Sequence, residues 1–276
     1  MTLLKNIFNF YIFGNIHVAL ATFCLTKITL LAYAISSDLL SWFVFFATFL
    51  SYNLIRIYQL NDLQDWFYNF IRSNKQIILI LSVLSFMFLV FLTFKLELKT
   101  LFTLIPFGLF TFFYVIPFNF KLKGAVSLRS ITLVKLFLIA VSWAGVTVIV
   151  PLVEYNLGFS KNNIFMFIQR FFFIIAITIP FDIRDINFDN EKIRTLPQVF
   201  GIKKSKPIGM FSLMVFLGLE LFKEPVEAEA LRIKFIVALI SLFLLMKSTA
   251  HQDKYYSAFL VESIPIVWFI LYLLFN

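Results

Sequence analysis

The sequence predicts an all-α, polytopic integral membrane protein with about nine spanning helices. Three observations lead to this fold class. Of the 276 residues, 61% are hydrophobic and 14% are charged, against about 45–50% apolar and about 25% charged residues in ordinary soluble domains. Apolar segments recur along the whole chain, and basic residues concentrate in alternate connections between them. The excess apolar surface requires lipid as its solvent.

The apolar segments are long and continuous. A spanning helix needs about 20 mainly apolar residues. Nine segments are candidates: 14–35, 38–58, 76–95, 98–117, 128–152, 163–181, 208–222, 231–249 and 256–275. Only helices and closed barrels satisfy their backbone in lipid, and continuous rather than alternating apolar runs favour helices. Residues 1–276 are therefore interpreted as one transmembrane domain.

The basic residues predict an orientation. With the N-terminus in the cytoplasm, the connections on that side carry fifteen Lys and Arg residues and the opposite connections carry six. This asymmetry predicts a cytoplasmic N-terminus and a C-terminus on the opposite side, with the polar connections 59–75 and 182–207 in the cytoplasm. The net charge of +9 is scattered between apolar segments, so we do not expect nucleic acid as a partner.

The most informative stretch follows the sixth segment and reads PFDIRDINFDNEKIRTLPQVFGIKKSK over residues 180–206. Asp182, Asp185 and Asp189 recur at i, i+3 and i+7, which places them within an arc of about 60° on an α-helix. Such stacked carboxylates are consistent with Mg²⁺, which takes one or two carboxylates together with waters and substrate phosphates. The alternative is a solvated loop whose acids neutralise its bases.

Basic residues interleave with these aspartates. Arg184, Lys192 and Arg194 are candidates for binding phosphate oxygens, the arginines through their bidentate geometry.

The order of these residues resembles a known motif. Asp-x-x-Asp-x-x-x-Asp, a basic residue, Arg194-Thr195-Leu196-Pro197 and then Gly201 is similar to the second aspartate motif of the UbiA-type intramembrane prenyltransferases. Tyr114-Val115-Ile116-Pro117 and Lys121-Leu122-Lys123-Gly124 resemble that family's tyrosine–proline sequence and basic connection. The resemblance extends over nearly the whole chain.

The resemblance implies a fold and an activity. The family has nine helices around a central cavity that opens laterally to lipid. Its members transfer a prenyl group from a Mg²⁺-bound isoprenyl diphosphate to an aromatic or other lipophilic acceptor. For this chain it implies metal binding and catalysis by Asp182, Asp185 and Asp189. Substrate binding is implied for these residues: Tyr114, Lys121, Lys123, Arg184, Lys192 and Arg194.

The family's first aspartate motif, Asn-Asp-x-x-Asp-x-x-x-Asp, has two possible counterparts. One begins at Asn61 and supplies Asp62 and Asp65 as further metal ligands, with Asn69 in place of the last acid. The other begins at Asn53, inside an apolar segment, lacks both following acids and brings Arg56 nearby.

Polar groups inside a span are costly, which favours Asn53 and Arg56 as catalytic residues. One of two metal sites is then missing, and Arg56 replaces a cation by pairing with Asp182, Asp185 or the diphosphate.

Among the polar residues inside apolar segments, Asn15, Lys135 and Arg170 are further candidates for the site. The cost of such groups in lipid predicts that they line the cavity, with Arg170 in contact with substrate. Snorkelling of Lys135, or pairing of Arg170 with Glu262, is the alternative.

The leading hypothesis is a membrane prenyltransferase that uses Mg²⁺, an isoprenyl diphosphate and a lipophilic acceptor. The alternative is a non-catalytic membrane protein that keeps the fold and binds lipid or diphosphate. A small-solute transporter is less favoured, since the sequence shows no convincing internal repeat.

Overall fold

A computed structural model describes residues 2–58, 60, 64–115, 134–187 and 195–275. These residues form helices and no strand. The first half contains α1 (Thr2–Phe13), α2 (Ile16–Leu31), α3 (Leu39–Tyr58), α4 (Asp65–Thr93) and α5 (Leu98–Val115).

The second half begins with α6 (Val134–Ala144), which continues through a π-helical turn (Gly145–Ile149) into α7 (Val150–Glu154). Next come α8 (Lys161–Arg184) with a 3₁₀ turn (Asp185–Asn187), α9 (Leu196–Phe200), and α10 (Ile202–Gly218) with a 3₁₀ turn (Leu219–Phe222). The last elements are α11 (Ala228–Lys247), a π-helical turn (Tyr256–Val261) and α12 (Ile264–Phe275).

The described helices are those of a multi-pass membrane bundle. Six helical stretches are long and apolar enough to cross a membrane, and the bent pair of α1 and α2 makes a seventh. Over Leu98–Phe112, α5 is apolar but shorter, and the first turns of α11 carry Glu229, Arg232 and Lys234. The helical membrane fold is confirmed, whereas the count of nine spans and the orientation stay predictions.

Helix α4 has an exposed apolar surface. Only 17% of its most apolar 18-residue stretch is buried, and large apolar side chains such as Ile80, Phe86 and Phe91 are exposed. Helix α4 therefore lies at the periphery of the bundle with one face in the bilayer.

Three helix starts differ from the prediction, the smallest difference being that of α10, which begins at Ile202 and not at 208. The first segment was expected from residue 14, but α1 precedes it and meets α2 at a bend of 54°, where Asn15 has a φ of 69°. Helix α4 begins at Asp65, well before the predicted 76. Its early turns are too polar to be predicted as part of a span. A polar helix end that projects from the bilayer is nevertheless stable, because its backbone is hydrogen-bonded within the helix.

Helix α8 packs against α6, α10 and α11. Phe173 of α8, Phe216 of α10 and Trp268 of α12 meet with ring centroids 5.2–5.4 Å apart. Because lipid tails are as apolar as these rings, van der Waals packing rather than the hydrophobic effect holds this core together. It gives α8 a rigid support for the charged residues at its end.

Candidate active site

A cavity of about 740 Å³ lies between α2, α3, α5 and α6, within the range of about 300–1,000 Å³ typical of small-molecule sites. Its wall is mostly apolar and aromatic. The bulky wall residues include Phe43, Tyr52, Tyr58, Phe107, Phe112 and Trp143. The central cavity that the resemblance implies is therefore present.

A close approach of α5 to the following helix shapes one wall. A Cβ atom at Gly145 would lie 2.0 Å from Cε1 of Phe107, so only glycine lets this ring pack there. The π-helical turn that starts at Gly145 supplies Val146 and Thr147 to the cavity wall. Such turns interrupt α-helices, often at functional sites.

The first motif aspartate is buried in an ion pair. Lys135 Nζ, from the first turn of α6, lies 2.7 Å from Asp182 Oδ1, and the Asp182 side chain is 1% exposed. Leu136, next to Lys135 in α6, and Ile179 and Ile183, near Asp182 in α8, belong to one buried apolar cluster. In such surroundings a carboxylate requires a partner, which Lys135 supplies.

Pro180 fixes the end of α8 that carries Asp182. Proline lacks an N–H and so removes one helical hydrogen bond. Its carbonyl oxygen accepts hydrogen bonds from Gln252 Nε2 at 3.0 Å and Ser257 Oγ at 3.2 Å. These bonds tie the end of α8 to the connection between α11 and α12.

The second motif aspartate pairs with its own neighbour. Arg184 donates from Nε and Nη2 to the two carboxylate oxygens of Asp185, both at 2.8 Å, and both side chains are about one quarter exposed. Helix α8 ends at Arg184, so the predicted α-helix over all three aspartates ends early, and Asp189 lies outside the described residues.

The Thr-Leu-Pro sequence of the motif starts a helix. Thr195 N donates to Gln198 Oε1 at 2.8 Å in a capping box, and Pro197 lies in the first turn of α9. Gly201 has a φ of 78° and separates α9 from α10, a conformation that favours glycine. These motif residues thus have local structural roles.

Arg56 lies near the motif but faces elsewhere. Its Nη1 donates to the carbonyl oxygen of Phe13 at 3.1 Å, and its guanidinium lies 4.4 Å from the Phe67 ring centroid. Its charge interacts with those of Glu262, Arg184 and Asp185. Among the described residues, Asp182 pairs with Lys135 and Asp185 pairs with Arg184, and the role of Arg56 as a partner of the aspartates or the diphosphate stays a prediction.

These side chains define what we call the charged end: Arg56, Lys135, Asp182, Arg184, Asp185 and Glu262. Its member Arg56 belongs to the stretch of α3 that borders the cavity, since its chain neighbours Ile55 and Ile57 line the cavity wall. Glu262 was considered only as a partner of Arg170. Its position as an acid inside an apolar segment is the signal that could have marked it as a functional candidate.

Asn53 joins two helices. It accepts a hydrogen bond from Asn15 Nδ2 at 2.8 Å and donates to the Phe49 carbonyl oxygen at 3.0 Å. Both asparagine side chains are buried, and neither contributes to the cavity wall. The contacts of Asn53 therefore indicate that it fastens α3 to the bend between α1 and α2.

Asn53→Leu is expected to lower the free energy of unfolding by about 1–2 kcal/mol, because the buried amide of Asn15 loses its acceptor. Chemical unfolding in detergent micelles measures this change, with Asn69→Leu on the exposed face of α4 as the control. A variant that keeps its stability but loses ligand affinity would instead support a role of Asn53 in substrate binding.

Several predicted site residues cannot be placed. Outside the described residues lie Asp62, Lys121, Lys123, Asp189, Lys192 and Arg194, and the side chain of Tyr114. Asp65 is exposed in the first turn of α4, where a carboxylate favourably meets the helix dipole.

Arg170 is buried in mid-α8, far from the charged end. It donates to the Leu25 carbonyl oxygen at 2.8 Å and to Thr147 Oγ1 at 3.1 Å, and its guanidinium lies 4.9 Å from the Trp268 ring centroid. It lines a second, smaller cavity. The alternative of pairing with Glu262 is replaced by these contacts.

The described residues do not offer Mg²⁺ a ready ligand set. No group of three or more acidic, His or Cys side chains that could hold a metal occurs within the described ranges. Both motif aspartates that the structure places are already paired with cations.

Comparisons with known proteins give similarity at the level of structure. No family model and no curated protein matches the sequence. A solved UbiA homologue from Archaeoglobus fulgidus, bound to GPP and Mg²⁺, superposes with a TM-score of 0.65 at 14% identity, over 94% of this chain and 97% of that one. A structure of digeranylgeranylglyceryl phosphate synthase gives a TM-score of 0.55 at 16% identity, over 100% and 99%. The chain thus has the fold of the UbiA-type intramembrane prenyltransferases.

Proposed function

We propose that this protein binds an isoprenyl diphosphate and transfers its prenyl group to a lipophilic acceptor, for which an aromatic compound is the first candidate. The observation that carries the proposal is the large apolar cavity, whose wall includes Ile55 and Ile57 of α3 on either side of Arg56 of the charged end. The substrate has the same two parts, an apolar tail and a charged head.

The cavity suits an isoprenoid tail. Its aromatic walls include Phe107, Phe112 and Trp143, and aromatic faces stabilise nearby cations. An allylic cation that develops when the diphosphate departs would be stabilised there and kept from water.

The charged end suits the diphosphate. Lys135 and Arg184 pair with aspartates and can turn toward phosphate oxygens. The sequence between α5 and α6 contains Lys121, Lys123 and Arg129 and no acid, and we expect these residues to contribute further cations to the diphosphate site. These cations would stabilise the negative charge that develops on the leaving group.

In the proposed reaction, the bond between the prenyl carbon and the diphosphate oxygen breaks, and the diphosphate keeps the electron pair. The prenyl carbon forms a new bond to the acceptor, which releases a proton. Mg²⁺ belongs to this proposal as the ion that accompanies the diphosphate. It is supported by the ligands of the Archaeoglobus homologue.

The first experiment measures binding of a non-hydrolysable geranyl diphosphate analogue to the purified protein, with Mg²⁺ and with EDTA. We expect binding that weakens at least about tenfold in Arg184→Gln, which loses a charge-assisted bidentate contact. Arg232→Gln is the matched control, because Arg232 is exposed and pairs with Glu229 in the first turn of α11. Equal affinity of both variants would contradict a diphosphate at the charged end.

The alternative function is binding of lipid or diphosphate without turnover. The observation that favours it is the charge balance of the charged end, where three cations meet three carboxylates. Tight analogue binding, together with no release of diphosphate from geranyl diphosphate in liposomes that supply lipophilic acceptors, would identify this function.

A further inference from the structure

A second cavity, of about 210 Å³, lies toward the other end of α8. It is lined by Gln169 and Arg170, which precede Asp182 by about 20 Å along the helix. The residues near it on α10 and α11 belong to the connections predicted to lie opposite the cytoplasm. This cavity is therefore separate from the charged end.

The polar wall of this cavity centres on Glu220. Its Oε2 accepts from Lys234 at 2.5 Å, Lys223 at 2.9 Å and Gln169 Nε2 at 2.9 Å. Its side chain is 3% exposed, and those of Lys223 and Lys234 are 11% and 12% exposed. Two ammonium groups thus share one carboxylate oxygen in a nearly closed site.

The charges that line the cavity do not balance. Three cations, Arg170, Lys223 and Lys234, face two carboxylates, Glu220 and the exposed Glu227. The hydrogen bonds of Arg170 go to neutral oxygens. Unpaired positive charge in a membrane bundle is costly, and an anion in the cavity would remove that cost.

A second, independent feature points to a ligand. Gln169 is 2% exposed, and its Oε1 has no hydrogen-bond partner among the described residues. A buried amide oxygen without a donor is unfavourable. The missing partner is a hydrogen-bond donor, which a fully ionised anion such as sulfate does not carry.

We propose that this cavity binds a phosphate group that keeps one hydroxyl: free inorganic phosphate or the phosphomonoester head group of a lipid. Lys223, Lys234 and Arg170 would bind the anionic oxygens, each ammonium having three N–H donors. Gln169 Oε1 would accept from the hydroxyl. The cavity volume corresponds to about seven water molecules, which is sufficient for one such group.

Both sources can reach the cavity. Leu221 and Phe222, beside Glu220, are exposed apolar residues at 59% and 64%, so lipid borders the site. Lys161 and Glu224 at the same end are exposed, so water borders it too. The experiment therefore has one arm for each source.

Thermal unfolding of the full chain tests the proposal, since a ligand that binds the folded state raises the midpoint. One arm titrates inorganic phosphate against sulfate, at equal ionic strength in uncharged detergent. The other compares phosphatidylcholine nanodiscs with and without phosphatidic acid. We expect stabilisation by phosphate, by phosphatidic acid or by both, and little by sulfate.

The variants make the test specific. Lys234→Met is expected to weaken the phosphate effect about tenfold, as for loss of a hydrogen bond from a charged group. Lys161→Met, which changes an exposed cation at the same end of the bundle, should leave the phosphate effect unchanged. Glu220→Gln removes the competing carboxylate and should strengthen the effect, which keeps the test decisive if Lys234→Met does not fold.

Three results would overturn the proposal: no shift of the wild-type midpoint in either arm, equal stabilisation by sulfate, or a phosphate effect in folded Lys234→Met as large as that in Lys161→Met. A weaker effect in folded Glu220→Gln would equally contradict it. None of these results depends on prenyl transfer, so the proposed function can fail or hold separately.

Discussion

Asp182→Asn is expected to lower prenyl transfer at least about a hundred-fold, the usual scale for removing one group that organises charge at a reacting centre. Asp182 is the buried member of the charged end and holds Lys135 at 2.7 Å. Asparagine keeps the shape but loses the charge, so Lys135 is no longer held in place for the diphosphate. Release of diphosphate from geranyl diphosphate, in liposomes that supply lipophilic acceptors, measures the rate.

Two comparisons separate this effect from unfolding. Asp253→Asn alters an exposed acid whose side chain accepts a hydrogen bond from Tyr255 N, and should leave the rate unchanged. Lys135→Met leaves the Asp182 carboxylate buried without its ion pair and should lower the free energy of unfolding by about 3–5 kcal/mol. Adding Asp182→Asn to Lys135→Met should restore stability but not transfer. A wild-type rate in Asp182→Asn would exclude this residue from the reaction.

The helices were predictable where the sequence is apolar. Long hydrophobic runs have one stable form in lipid, so the membrane bundle followed from composition and segment length. The early turns of α4 and the separate α1 were missed, because polar helix ends outside the hydrocarbon region carry no hydropathy signal. The bend at Asn15 depends on a single positive φ, which apolar periodicity does not show.

The site was predictable as a set of residue types but not as a set of pairs. Asp182, Asp185 and Arg184 stand where an apolar segment becomes charged, and this contrast marked them. Which cation meets which carboxylate depends on helix packing: Lys135 lies on α6, and its approach to Asp182 is a tertiary contact. Arg56 donates to the Phe13 carbonyl oxygen and lies against the Phe67 ring. The order of residues along the chain could not indicate these contacts.

The cluster around Glu220 shows the same limit. Lys223 lies in a predicted connection, and Glu220 and Lys234 lie near the ends of the predicted spans that flank it, where charged residues are usually solvated at the membrane surface. Folding buries Glu220 and brings Lys234 against it across the gap between α10 and α11. Burial, which the sequence does not record, makes these charges a candidate binding site.

Gly108→Leu is expected to weaken binding of long isoprenyl diphosphates at least about tenfold, while the protein folds normally. Gly108 lines the large cavity, and a Cβ atom added there has no heavy atom within 4 Å. The leucine side chain therefore extends into the space that we assign to the tail. Loss of buried contact for several CH₂ groups, at about 0.8 kcal/mol each, exceeds the tenfold threshold.

Gly218→Leu is the matched control for this change. Gly218 is also helical, and a Cβ atom there likewise has no heavy atom within 4 Å, but it borders an outer groove and not the large cavity. Both substitutions gain the same intrinsic helix propensity, so a difference between them reports on the cavity alone. Binding of analogues with one to four isoprene units, measured for both variants, should show a loss that grows with tail length only in Gly108→Leu. A loss of affinity that does not depend on tail length would indicate that the tail binds elsewhere, because a partly filled cavity excludes long tails more strongly than short ones.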